Sequence, residues 1–124
     1  MTRDNINPKF WGPFSWRVLF VYVLSYPKKS PSHSEREYFR EYFESLAGVL
    51  PCGKCRKNIN KFLDKHPIDS HLESRYSLLL WLIALHNKSG EKIRNYDDLR
   101  DIIKPDAKID EILERIERKH PKLR

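Results

Sequence analysis

The sequence predicts an all-α fold, a four-helix bundle followed by one or two short helices near the C-terminal end of the chain. Apolar residues recur at helical spacing in each long block, proline and glycine separate the blocks, and strand-like alternation appears nowhere at length. A chain of 124 residues fits one domain. We expect residues 1–124 to form it, with a core over about 11–103 and a helical extension over 104–124.

The first two helices are predicted on either side of a polar loop. The first covers about 13–26, with Pro13 in its first turn. The second runs from Ser34, whose spacing to Glu37 is that of a capping box, to about Val49. The residues expected to face the core from these helices are Trp16, Leu19, Phe20, Val23, Leu24, Phe39, Tyr42, Phe43 and Leu46.

The remaining helices follow a restart of the chain at Pro51. A third helix is predicted over about 52–64 and a fourth over about 73–88. Because residues 78–85 are apolar nearly all round, the fourth helix should be central in the core. A short helix near 96–103 and a last one near 109–119 complete the prediction. The third helix is expected to bury Cys55, Ile59, Phe62 and Leu63.

The net charge of +7 permits nucleic-acid binding without requiring it, because the basic residues are spread along the chain. The densest basic cluster consists of Lys54, Arg56, Lys57, Lys61 and Lys65. It is either the solvated face of a helix or a surface that attracts an anionic ligand or an acidic partner. We expect no nucleic-acid partner. The opening residues do not resemble a signal peptide and no aliphatic run is long enough to span a bilayer, which favours a cytoplasmic protein without a membrane partner.

The two cysteines form one CxxC pair, Cys52 and Cys55, so no disulfide framework holds this fold together. The pair lies at a predicted helix start, where the helix dipole favours the thiolate, and Lys54 and Arg56 add positive charge. On this basis we expect Cys52 to be the exposed, attacking sulfur and Cys55 its buried partner.

Three interpretations of this pair compete: two unpaired core thiols, a zinc site, and a redox disulfide. Zinc binding would add His66 and His71 as ligands, but the pair lies between two long apolar helices rather than in a small free-standing module. A thioredoxin-like enzyme needs a βαβ pattern, which is lacking. A redox pair in a helical bundle would therefore pass its electrons to another group, and a flavin is the natural acceptor.

Several aromatic and polar residues are suited to binding a planar cofactor. Trp16 and Trp81 supply flat rings, and His86 and Asn87 at the end of the core helix supply polar groups. Lys92 supplies a positive charge for a pyrophosphate. Taken singly, each tryptophan is most simply a core residue and His86 a helix-end cap.

Four blocks in order carry a family resemblance: residues 11–16 (WGPFSW), 50–55 (LPCGKC), 81–82 (WL) and 85–88 (LHNK). The ordered set resembles the Erv/ALR family of FAD-dependent sulfhydryl oxidases, and the short form with its WGPxxW opening is similar to those of large nucleocytoplasmic DNA viruses. The resemblance spans about 11–100.

The resemblance implies an enzyme that generates disulfides in protein substrates and passes the electrons through FAD to oxygen, giving hydrogen peroxide. Cys52 would accept electrons from a substrate dithiol and Cys55 would lie next to the flavin. No metal is implied. The cofactor-binding residues implied by position are Gly12, Ser15, Trp16, Phe20, Asn58, Trp81, His86, Asn87, Lys92 and Tyr96.

The chain departs from the family at Phe20, where a histidine is usual, and at Ser89–Gly90, where a second asparagine is usual. It also lacks a second cysteine pair, so substrates would be protein dithiols reaching Cys52 directly or a separate thiol-shuttle protein. The family implies a homodimer, and a viral source would imply the host cytoplasm or the virion. Two alternatives stay open: a basic helical nucleic-acid or zinc-binding module, and a helical scaffold that has lost oxidase activity.

Overall fold

The computed structural model describes residues 3–123, which form six α-helices and no strand. This confirms the predicted all-α class with its shorter C-terminal helices. A single 3-10 turn at Ile68–His71 lies in the connection before the fourth helix. The helices are α1 Pro8–Leu24, α2 His33–Val49, α3 Gly53–Lys65, α4 Arg75–Ser89, α5 Tyr96–Ile103 and α6 Ala107–Lys119.

Helix α1 begins at Pro8, five residues before its predicted start. The side chain of Asn7 caps the helix by accepting a hydrogen bond from the Lys9 amide, and Pro8 takes the first helical position, where a missing N–H costs little. Pro13 therefore lies inside the helix and removes its hydrogen bond to the carbonyl of Lys9. That loss is tolerated because Lys9 is exposed to water.

Helix α2 uses the first of two overlapping capping patterns. Ser32 accepts from the amide of Glu35, and the carboxylate of Glu35 accepts from the amide of Ser32. The predicted cap, Ser34 with Glu37, is the same motif moved by two residues, so that prediction was wrong in register.

The core is built around α4, which packs against α1, while α2 packs against α3. Trp81 joins these pairs: its ring lies edge-on to Phe43 of α2 and Phe62 of α3, both at 5.6 Å, and its indole N–H donates to the carbonyl of His66. The prediction that α4 is central is therefore confirmed. The prediction that Tyr42 is buried was wrong, because its ring remains 40% exposed beside α1.

Helices α5 and α6 close the other side of α1. Arg100 of α5 donates to Asp110 and Glu117 of α6, at 2.9 and 2.8 Å. The guanidinium of Arg17 on α1 donates to the carbonyl of Ile103 at the end of α5. Within the described part of the chain, no helix combines the length and apolar character needed to cross a membrane.

Candidate active site

Cys52 and Cys55 form a disulfide at the start of α3, with their Cα atoms 5.2 Å apart. Cys52 is the N-cap residue of the helix, and its sulfur accepts a hydrogen bond from the amide of Cys55 at 3.2 Å. Both sulfurs therefore lie at the positive end of the α3 dipole. This end stabilises a thiolate, the form that exchanges disulfides.

The exposure of the two cysteines is the reverse of the one predicted. Cys52 is 8% exposed, whereas Cys55 is only half-buried. Residues 3–7, for which the sequence predicts no element, run across the loop between α2 and α3 and bond to the residues on either side of Cys52. We call residues 3–7 the cover segment.

The cover segment is hydrogen-bonded on both sides of Cys52. The amide of Ile6 donates to the carbonyl of Pro51, and the amide of Gly53 donates to the side-chain oxygen of Asn5, both at 2.8 Å. Arg3 donates to the carbonyls of Gly48 and Val49, at 2.5 and 2.6 Å. Neither periodicity nor a motif marks these residues in the sequence, although the Asn7–Pro8 cap could have shown where the segment ends.

A second cluster joins α1 to α4 and contains three of the predicted cofactor residues. The rings of Trp16 and His86 lie edge to face with centroids 4.7 Å apart, and Phe20 lies 6.2 Å from His86. Trp16 is half-buried, whereas His86 is 7% exposed. Burial lowers the pKa of His86 below its ordinary value, and the side-chain contact with Asn87 opposes this only in part. His86 is therefore the neutral imidazole at neutral pH.

Asn87 shapes the loop that follows α4. Its side-chain oxygen accepts from the amide of Ile93 at 2.8 Å, and its amide group donates back to the Ile93 carbonyl at 3.3 Å. This pair of bonds closes the loop that contains Lys92, which is exposed. The described contacts make Asn87 a residue that positions Lys92.

Three of the predicted cofactor-binding rings have their surface covered by protein. Phe20 is fully buried, Trp81 is 2% exposed and Tyr96 is 3% exposed. The hydroxyl of Tyr96 donates to the carbonyl of His120 at 2.5 Å, which ties α5 to the end of α6. In this structure these rings pack between the helices and present no free face to a ligand.

The other predicted cofactor residues are accessible. Gly12 is half-buried with open space beside it, because a Cβ placed on it would meet no atom within 4 Å. Asn58 is exposed one turn after Cys55. Ser15 is half-buried and lines a groove between α1 and α2, with Phe14, Val18, Leu19, Tyr42, Leu46 and Leu50.

The zinc alternative is not supported by the positions of its proposed ligands. Among residues 3–123, no three His, Cys, Asp or Glu side chains come together as a metal site. His66 packs against Phe62 with ring centroids 4.8 Å apart, and the Nδ1 atom of His71 lies 3.5 Å from the hydroxyl of Ser77. The two sulfurs are bonded to each other.

Sequence comparison gives a consistent family match. Residues 13–107 match the model of the Erv1 / Alr family. The chain is 34% identical over 103 residues to a probable FAD-linked sulfhydryl oxidase of Acanthamoeba polyphaga mimivirus, covering 79% of this chain and 71% of that protein. It is 33% identical over 91 residues to the FAD-linked sulfhydryl oxidase erv2 of Schizosaccharomyces pombe, covering 73% of this chain and 46% of the relative.

Comparison of structures gives the same fold. The crystal structure of the yeast Erv1 core superposes with a TM-score of 0.62 at 21% identity, covering 93% of this chain and 87% of that one. The chain thus spans most of the mimivirus protein and of the yeast core, but less than half of the fission yeast protein.

Proposed function

The chain belongs to the Erv1/Alr family, and we propose that it is an FAD-linked sulfhydryl oxidase that oxidises dithiols through the Cys52–Cys55 disulfide. The observation that carries this proposal is the position of that disulfide. It caps α3 within the region that matches the family, and it contains both cysteines of the chain.

The protein's own residues account for the exchange step. A substrate thiolate bonds to the Cys52 sulfur, the Cys52–Cys55 bond breaks, and Cys55 leaves as a thiolate at the positive end of α3. The second thiol of the substrate, once deprotonated, attacks the substrate sulfur that is bonded to Cys52. The substrate disulfide forms, and Cys52 is released as a thiolate. The substrate has then lost two electrons and become a disulfide, the cysteine pair has gained them, and the protons pass to solvent.

The residues that would hold FAD come from the predicted cofactor-binding set and the cysteine pair, and all of them except the buried His86 are at least partly accessible. Cys55 and Asn58 lie on the first turns of α3, Gly12 and Trp16 on α1, and His86 at the end of α4. The open space beside Gly12 and the partly uncovered ring of Trp16 fit a flat ring system. Bound among these residues, FAD would supply the redox chemistry that the chain itself lacks, namely an acceptor for the electron pair of the reduced cysteines and a route from there to oxygen and hydrogen peroxide.

The other predicted residues take supporting places in this proposal. Lys92 is exposed and is assigned to the cofactor phosphates, with Asn87 holding its loop. Phe20, Trp81 and Tyr96 pack behind the contact residues. Ser15 faces the α1–α2 groove, so its hydroxyl is assigned to the edge of the site.

We also propose that the protein is a homodimer joined through α1 and α2. Phe10, Phe14, Val18 and Tyr22 recur every four residues on α1 and are each at least 42% exposed. Tyr42 of α2 extends this apolar face, with its ring 5.5 Å from that of Tyr22. An apolar stripe of this kind on a helix surface is typical of an interface.

The substrates we propose are protein dithiols or a separate thiol-shuttle protein. Both cysteines of this chain are in one disulfide, so no other cysteine of the chain is present to relay electrons to it. A cytoplasmic location, or the virion if the source is a virus, stays part of the proposal. The viral relative supports the second possibility.

The purified protein tests the proposal directly. We expect the visible absorption of a bound flavin, and oxygen consumption when dithiothreitol is added. A colourless protein that consumes no oxygen, even after incubation with FAD, would contradict it. A yellow protein without turnover would instead support the inactive scaffold.

A further inference from the structure

The cover segment, residues 3–7, occupies the approach to Cys52 through two backbone groups that flank it. The carbonyl is that of Pro51, directly before Cys52, and the amide is that of Gly53, directly after it. One accepts from the backbone of Ile6 and the other donates to the side chain of Asn5. The segment is therefore held partly as an added strand would be, by a main-chain hydrogen bond beside the reactive sulfur.

Another segment could take the place of the cover segment on the Pro51 carbonyl and the Gly53 amide. The residues of the cover segment are exposed, and its remaining anchor is Arg3, which binds the carbonyls at the end of α2. A short segment held by a few solvent-exposed hydrogen bonds opens at low free-energy cost. An extended peptide offers the same backbone donors and acceptors as the segment it displaces.

We propose that the Pro51 carbonyl and the Gly53 amide bind the backbone of an extended substrate segment next to its cysteine, and that the cover segment occupies this site until the substrate displaces it. This inference rests on the proposed function, because it needs Cys52 to be the sulfur that a substrate attacks. It explains why the entry cysteine, Cys52, is only 8% exposed. It also gives preference to cysteines in extended segments, since a helical segment has already used its backbone groups internally.

The first test measures how far the segment covers Cys52. In a Cys55→Ser background the Cys52 thiol is free, and its rate of alkylation by iodoacetamide reports its exposure. Adding Arg3→Ala and Asn5→Ala together should raise this rate about fivefold to tenfold, because two anchoring side chains are lost. The matched control adds Asp4→Ala, whose side chain makes no hydrogen bond among the described contacts.

If the Arg3→Ala/Asn5→Ala protein and the Asp4→Ala control are alkylated at the same rate, the covering role of the segment is overturned. The rates are compared as pH-independent values, so that a shift in thiolate fraction does not imitate exposure. This experiment involves neither FAD nor oxygen. Its failure is therefore distinct from a failure of the proposed oxidase activity.

The second test compares two reductants, because Gly53→Pro removes both a docking group and one bond to the cover segment. Gly53→Pro removes the amide hydrogen at the first position of α3, where proline is tolerated, and the extended backbone of Cys52 suits a following proline. Gly53→Ala keeps the amide, and its Cβ would meet Asn5 and Arg56 at ordinary distances of 3.6 and 3.7 Å.

The readout is the rate at which the Cys52–Cys55 disulfide is reduced without oxygen, by dithiothreitol and by an unstructured dithiol peptide. With Gly53→Pro, the ratio of the peptide rate to the dithiothreitol rate should fall about fivefold, because only the peptide loses a backbone partner. Gly53→Ala should keep the wild-type ratio. An unchanged ratio in Gly53→Pro would overturn the docking role.

Discussion

The rings of Trp16 and His86 lie edge to face with centroids 4.7 Å apart, one on α1 and the other at the end of α4. The two residues were singled out separately in the sequence, one from the WGPxxW block and one from the LHNK block. Their contact places the two motifs at one location in the bundle. Because burial keeps the imidazole neutral, His86 serves this cluster as an aromatic ring with one N–H donor.

The lowered pKa of His86 predicts that stability depends on pH. The folded protein disfavours the protonated ring, so the unfolded chain binds more protons between the lowered folded pKa and the ordinary value of 6.5. The free energy of unfolding is therefore expected to fall as the pH decreases through 6.5 towards the folded pKa. Urea unfolding at a series of pH values measures this.

In a His86→Gln variant, the part of the pH dependence of the unfolding free energy that is due to His86 should be absent, whatever the stability of the variant at pH 7.5. His33→Gln is the matched control, because His33 is exposed at the start of α2. Equal slopes in the wild-type and His86→Gln proteins would show that His86 does not titrate in this way.

A buried hydrogen bond of Tyr26 is expected to support the junction after α1. Its hydroxyl donates to the carbonyl of Leu72 at 2.6 Å, and the side chain is fully buried. Tyr26→Phe should lower the free energy of unfolding by about 1–3 kcal/mol, because a buried carbonyl loses its partner. Tyr38→Phe removes a hydroxyl from a ring that is 71% exposed, and should change it by less than about 0.5 kcal/mol. If urea unfolding shows the same loss of unfolding free energy in Tyr26→Phe and Tyr38→Phe, this account is contradicted.

The helices themselves could be predicted because their signals are local. The short helix at Tyr96–Ile103 was predicted at its observed ends, since an apolar face and a polar cap coincide there. The α2 cap was misplaced because Ser32–Glu35 and Ser34–Glu37 satisfy the same local rule.

The environment of the cysteine pair could be predicted only in part. The place of the pair at a helix start was predicted, and the disulfide was one of the three interpretations that the CxxC spacing allowed. The burial of Cys52 was not predicted, because exposure is set by tertiary contacts, and no periodic pattern records bonds such as those of Asn5 and Ile6 to the residues beside Cys52. The full burial of Phe20 likewise depends on tertiary packing around α1.

Single cysteine variants test the assignment of Cys52 as the entry sulfur. Cys55→Ser leaves one thiol at position 52, which should form a stable mixed disulfide with glutathione disulfide because no partner resolves it. Peptide mapping by mass spectrometry should find the adduct at Cys52. We expect both Cys55→Ser and Cys52→Ser to lose dithiol-dependent oxygen consumption. Retained turnover in Cys52→Ser would contradict the assignment of Cys52 as the entry sulfur.

The apolar face of α1 and α2 predicts the oligomeric state. Phe14→Glu with Tyr22→Glu places two charges on this face, where the wild-type rings are 68% and 44% exposed, so the fold of the monomer should be unaffected. Light scattering after size-exclusion chromatography should show a dimer for the wild type and a monomer for the double variant. Lys61→Glu, at an exposed position on α3, is the control for added negative charge and should remain dimeric. A monomeric wild-type protein would contradict the proposed dimer.

The central claim is that this disulfide transfers electrons from dithiols through a bound flavin to oxygen. The most direct measurement follows oxygen, hydrogen peroxide and substrate disulfide together during turnover of a reduced dithiol peptide by the purified, FAD-loaded protein. The account predicts equal molar amounts of oxygen consumed, peroxide formed and disulfide formed, and none of the three with FAD-loaded Cys55→Ser. Disulfide formation by the wild-type protein without matching oxygen uptake, or undiminished uptake by Cys55→Ser, would contradict it.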